Sequence, residues 1–202
     1  MKICDFPVSI QTYRLMEEPV FFPWIVHPGA EAVNQDIFSR VYGMFQKLQQ
    51  EGYYQPGVTD IQGSFRVKNN QECIVSFTFS LFANSPQLAH PVEYMDSVTA
   101  DVSRDKVYSL SEQFQPGSNW KENVNRIIEA QIKERDIPLL NGFPGVSQDQ
   151  KYYLADKSLV IYFDQYDITP GYAGFPMFPI SGYSLQSVVR ESSPLGMMLS
   201  GG

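Results

Sequence analysis

Two carboxylates three residues apart, Asp164 and Asp167 in the run DQYD, stand directly after an apolar stretch. Two acids facing a cleft about 5 to 10 Å apart can share the acid and nucleophile or base roles of glycoside hydrolysis, so a hydrolase built on this chain would use this pair. Acids at the mouth of a strand more often cap turns or stay solvated. His27 and His90 are the only histidines, far apart and each beside a proline, and the chain has two cysteines, Cys4 and Cys73. They form neither HExxH nor CxxC, so no metal site is expected. A GxSxG nucleophile elbow is absent. The nearest approach to a phosphate loop, Gly57 to Gly63, is followed by Ser64 and Phe65 where Lys and Ser or Thr are needed. A Cys73–His90 nucleophilic pair is disfavoured because Cys73 lies in an alternating, strand-like run. No catalytic residue and no cofactor are therefore assigned, and the chain reads as a non-enzyme.

The segment 166–183, YDITPGYAGFPMFPISGY, crowds Tyr166, Tyr172, Phe175, Phe178 and Tyr183 among prolines and glycines that preclude a helix. An aromatic loop stiffened by proline loses little entropy on binding, which makes Tyr166, Tyr172, Phe175 and Phe178 candidate recognition residues for a protein loop or a sugar face. The competing reading packs most of these rings onto the sheet as an irregular covering strand. Tyr172, between Gly171 and Ala173, is expected to be the most exposed.

The elements that must carry these residues follow from periodicity. Residues 12–24 read as a short strand, closed by the turn His27-Pro28-Gly29. Val33, Ile37, Val41, Phe45 and Leu48 recur at helical spacing with Gly52 as the stop, which predicts a helix over about 33–50. Residues 61–68, an Asn69-Asn70 turn and residues 72–82 predict a hairpin, and Val75, Phe77, Phe79 and Leu81 alternate with polar neighbours as in a sheet with one buried face. A second hairpin is expected over 92–110, around a turn at 103–106. Trp120, Val124, Ile127, Ile128 and Ile132 mark a second amphipathic helix over about 120–135, before Pro138. Residues 151–163, with a turn at Asp156-Lys157, predict a third hairpin, and residues 191–202 read as a flexible tail. The class is α+β, with antiparallel sheets built from hairpins and two main amphipathic helices in two similar-sized lobes. The expected division is an N-terminal lobe 1–86, a C-terminal lobe 87–190 and the tail.

Composition narrows the classes. With 202 residues, 14% aromatic and 18% charged, the chain can bury a substantial core. A net charge of -7 opposes nucleic-acid binding. No apolar run approaches the roughly 18 residues of a membrane span. Residues 1–20 contain no signal-type apolar run, so the chain as written is expected to be soluble and cytoplasmic, and extracytoplasmic if an export signal has been removed. Cys4 and Cys73 can form one bridge in principle, but so few cysteines read as free thiols.

Three stretches carry a resemblance. AHPVEYMDSVTADVSRDKVYSLSEQFQPGSNW (89–120), IIEAQIKERDIPLL (127–140) and YYLADKSLVIYFDQYDITPGYAGFPMFPI (152–180) resemble a bacterial domain of unknown function. That domain is found in the extracytoplasmic part of lysozyme-sensing RsiV-type anti-sigma factors and before the catalytic domain of PdaC-type peptidoglycan deacetylases. The resemblance spans roughly residues 90–185, and PWIVHPGAEAVNQDIF (23–38) resembles the companion domain that usually precedes it. It implies an α+β fold and a role in binding at the cell envelope, with a lysozyme-like protein or a peptidoglycan fragment as partner. Sigma-factor inhibition and deacetylation do not carry over, because the chain has no sigma-binding segment, no membrane span and no metal-dependent domain. The expected function is a non-catalytic binding module, a monomer or small homo-oligomer. The alternatives are a stand-alone cytoplasmic protein that kept the fold and a hydrolase using Asp164 or Asp167.

Overall fold

Side chains that alternate along residues 74–84 give the first sheet its buried face, and the helical stripe from Val33 to Leu48 closes over it. The computed structural model describes residues 7–86 and 88–200. The chain divides into two compact units, Met1–Val107 and Tyr108–Gly202.

In the first unit, β1 (Ser9–Arg14) and β2 (Phe21–Val26) form an antiparallel hairpin, followed by α1 (Glu31–Gln50). The single strand expected over 12–24 is thus two strands. They are separated by a turn in which Met16 takes φ of 48° and Glu18 N–H donates to the Leu15 carbonyl at 3.0 Å. β3 (Asp60–Gln71), β4 (Ile74–Asn84), β5 (Val92–Asp101) and β6 (Lys106–Val107) form a four-stranded antiparallel sheet in that order. Val33, Ile37, Val41, Phe45 and Leu48 of α1 are buried in one core with Val75, Phe77, Phe79 and Leu81 of β4, as the periodicity predicts. The N-terminal amides of α1 lack a local side-chain cap; Asp105 supplies it from the β5–β6 loop, its carboxylate accepting from Ala32 N–H and Val33 N–H at 2.9 Å each.

Three expectations for this unit are corrected. The β3–β4 turn falls at Glu72-Cys73, with φ of 53° and 61°, and not at Asn69-Asn70. Both asparagines are strand residues whose amides serve as connectors: Asn69 Nδ2 donates to the Ile74 carbonyl at 2.7 Å, and Asn70 pairs with both backbone groups of Val8 at 3.0 and 2.9 Å. Cys73 is fully buried and disulfide-bonded, which overturns the free thiol expected there; Cys4 lies outside the described residues. The boundary expected at 86/87 falls instead after Val107, because β5 pairs along β4 from Val92 to Asp101 and belongs to the first sheet.

In the second unit, α2 (Trp120–Glu134) buries Trp120, Val124 and Ile128, and the Trp120 ring stacks on Phe114 at 4.6 Å. A three-stranded antiparallel sheet follows the order β7 (Tyr152–Ala155), β8 (Ser158–Tyr162), β9 (Met177–Ser181). Where a flexible tail is expected from residue 191, the chain forms α3 (Pro194–Ser200) with Leu195 fully buried. Its anchor is the buried Gln113, whose side-chain oxygen accepts from Leu195 N–H at 3.0 Å and whose backbone carbonyl accepts from Arg190 N–H at 2.9 Å. Local sequence gives no sign of this, since the contact spans some 80 residues. Among the described residues no helix is long and apolar enough to cross a membrane.

Candidate functional site

The loop between β8 and β9 is where the sequence places its candidates, and its geometry begins with the two acids. Asp164 is ion-paired with Lys151, whose Nζ lies 2.6 and 2.9 Å from the carboxylate oxygens. Asp167 closes the turn, its carboxylate accepting from Asp164 N–H at 3.1 Å. Each acid therefore has a partner within this unit. Tyr166 between them takes φ of 68° and is exposed, with its ring over Gly171. A Cβ on Gly171 would lie 2.2 Å from Tyr166 Cζ, so the ring needs glycine there to keep its position. Pro170 leads into a single 3-10 turn, Gly171–Ala173, closed by Ala173 N–H to the Pro170 carbonyl at 2.9 Å. Tyr172 sits at its tip and is 83% exposed.

The four candidate residues separate by burial. Tyr166 and Tyr172 reach solvent and are linked through Gly171, whereas Phe175 is half-buried. Phe178 is a correction. It lies on β9 with no exposed surface, edge-on to Phe163 at 6.0 Å and with the Arg135 guanidinium 5.5 Å above its ring, so it serves the core and presents nothing to a partner. The covering-strand reading holds for Phe178, while Tyr166 and Tyr172 are exposed rings of the loop. Among the described residues no three of His, Cys, Asp and Glu converge on a point where a metal ion would sit.

A second feature, in the first unit, escapes the sequence reading. β1, β2 and the start of α1 surround a groove of about 470 Å³ lined by Gln11, Tyr13, Trp24, His27, Glu31 and Asn34 among others. Tyr13 and Trp24 are both part-exposed, with ring centroids 5.7 Å apart at 58°. From Tyr13 the rings continue to Phe22 at 6.1 Å, Phe38 at 5.8 Å beyond it and Tyr42 at 5.7 Å. Asn34 fixes the frame: its buried amide accepts from Ile25 N–H at 2.8 Å and donates to the Ile25 carbonyl at 3.0 Å, taking the place of a neighbouring strand. His27 Nδ1 is buried without a hydrogen-bond partner. The usable signal was a hairpin with aromatics two residues apart on one arm, Phe22 and Trp24, opposite Tyr13 on the other. Reading 12–24 as one strand concealed it.

Residues 112–182 match a family described as "Protein of unknown function (DUF3298)". No curated protein matches the chain. The crystal structure of a DUF3298 family protein from Pseudomonas aeruginosa PAO1 aligns with a TM-score of 0.68 at 16% identity, covering 93% of this chain and 96% of that one. A member of the same family from Bacteroides fragilis NCTC 9343 aligns with a TM-score of 0.67 at 12% identity, covering 96% and 95%. Nearly the whole chain thus has the α+β fold of two solved DUF3298 proteins, and its residues 112–182 are similar in sequence to that family.

Proposed function

We propose that this chain is a non-catalytic binding module of an oxidising compartment outside the cytoplasm. It recognises a lysozyme-like protein or a peptidoglycan fragment through the loop that carries Tyr166 and Tyr172. The observation that carries this reading is Tyr172, a large aromatic ring held 83% exposed at the tip of a short turn framed by Pro170 and Gly174. Rigid, exposed aromatics are the usual anchors of recognition surfaces, because they bring contact area at little entropic cost. Cys73 supports that compartment, since disulfides persist where glutathione and thioredoxin do not reduce them. This observation favours the envelope over the stand-alone cytoplasmic alternative. A net charge of -7 would speed encounter with a cationic enzyme such as lysozyme. The Lys151 ion pair of Asp164 and the turn bond of Asp167 support binding over hydrolysis.

The test is calorimetric titration of the protein with lysozyme and with soluble muropeptides. One of the two binds, and Tyr172→Ala weakens it by more than about fivefold, the loss of an anchor worth at least 1 kcal/mol. Unchanged affinity in the variant removes the loop from the site. Turnover of a muropeptide that is lost in Asp164→Asn or Asp167→Asn would overturn the non-catalytic reading.

A further inference from the structure

We infer that the groove formed by β1, β2 and the start of α1 is a saccharide site, holding one uncharged pyranose ring against Trp24 and Tyr13. Its volume, about 470 Å³, lies within the range of small-molecule clefts, roughly 300–1,000 Å³. A pyranose has a C–H face and a rim of hydroxyls, and the groove offers the complement of both. The negative faces of Trp24 and Tyr13 suit the electropositive C–H bonds of a sugar. Beside the rings stand hydrogen-bonding side chains: Gln11, whose carbonyl oxygen already accepts from the Tyr13 hydroxyl at 3.2 Å, the exposed carboxylate Glu31, and His27.

Charge and rigidity select the ligand further. The lining residues include the carboxylate of Glu31 and neither lysine nor arginine, so a phosphate or an acidic peptide would enter against repulsion with no cation to receive it. A neutral polyol meets no such barrier, and Glu31 is free to accept its hydroxyl protons. His27 also lines the groove, and its imidazole adds a further hydrogen-bonding group to the wall. Asn34 bonds both backbone groups of Ile25 and so holds the Trp24 strand in place before any ligand arrives, which lowers the ordering cost of binding. This inference does not depend on the Tyr172 loop, which belongs to the other unit.

Two tryptophans, Trp24 and the buried Trp120, give a direct readout. The protein, labelled with nitrogen-15, is titrated with chitotriose, cellotriose and maltotriose to about 10 mM, which covers the millimolar affinities of weak sites. At least one sugar shifts the Trp24 indole signal, assigned by its loss in Trp24→Phe, and leaves Trp120 in place. Trp24→Ala weakens that binding about tenfold or more, while Tyr172→Ala leaves it unchanged. Both positions are exposed, so the fold survives the substitutions. No shift with any of the three sugars, or binding that persists in Trp24→Ala, overturns the proposal. A Trp24 signal that moves with protein concentration and ignores every sugar also overturns it, in favour of a contact between copies of the chain.

Discussion

Removal of one amide, Asn34→Ala, tests how the first unit is held together. Ile25 is almost fully buried, and Asn34 alone satisfies the backbone N–H and carbonyl that face it, at 2.8 and 3.0 Å. The variant leaves both groups without partners, and a buried orphan costs about 1–3 kcal/mol each, so the loss is about 2–6 kcal/mol. With a urea dependence of about 2 kcal/mol per molar, the middle of these ranges lowers the unfolding midpoint followed through Trp24 by about 2 M. Exchange of the Ile25 amide with solvent also accelerates. Asn34→Asp sharpens the test, because it keeps the acceptor for Ile25 N–H but sets a carboxylate against the Ile25 carbonyl. Protonation restores a donor, so burial and that carbonyl raise the folded pKa of the new acid above its unfolded value of about 3.9. The neutral form is then the favoured one in the fold. Its stability is present at acid pH and lost as pH rises through the raised folded pKa. A midpoint unmoved in Asn34→Ala, or an Asn34→Asp variant indifferent to pH, would refute the strand-substitute role.

Further outcomes follow from the same contacts. Gly196→Ala would put a Cβ 2.2 Å from the Arg190 carbonyl oxygen, so the melting curve read through Trp120 should show a loss of about 1–3 kcal/mol; an unchanged curve would mean that α3 is not docked. Phe178→Ala should cost about 3–5 kcal/mol in denaturant unfolding, and Tyr172→Ala less than about 0.5 kcal/mol; equal effects would contradict the division between core ring and exposed ring. Burial, followed by a hydrogen bond to Glu51, raises the Tyr94 hydroxyl well above the ordinary tyrosine range. Its neutral form therefore stabilises the fold at and below pH of about 10, and that contribution is lost in stronger alkali. Ultraviolet titration should show a late-titrating component that shrinks by one tyrosine in Tyr94→Phe; a spectrum unchanged by that substitution would be the contrary result.

The two main helices were legible because each presents one apolar stripe whose spacing does not depend on the rest of the chain, from Val33 to Leu48 and from Trp120 to Ile128. Hairpins were legible wherever alternation was strong, as in β4. What escaped depends on partners distant in sequence. Asn69-Asn70 has turn chemistry locally, but its amides bond Ile74 and Val8 and the reversal moves to Glu72-Cys73. The segment 191–202 has the composition of a loose end until Gln113 and the close approach at Gly196 dock it. The expected boundary near residue 86 failed because β5 pairs back along β4. At the candidate site, Tyr172 was recognisable from its glycine and alanine neighbours. Phe178 was not separable from it, since both lie in the same aromatic, proline-rich run and only strand pairing with Ile161 turns one of them inward. The Tyr13–Trp24 groove needed the cross-strand register, which no single strand displays.

The reading of an envelope binding module is tested most directly by separating the cytoplasm of the source cells from envelope and medium and alkylating the thiols of the untagged protein in denaturant, which opens the buried Cys73 to the reagent. The account predicts that the protein is found outside the cytoplasm with Cys73 unreactive until a reductant is added. Cytoplasmic protein whose Cys73 is alkylated at once would contradict it.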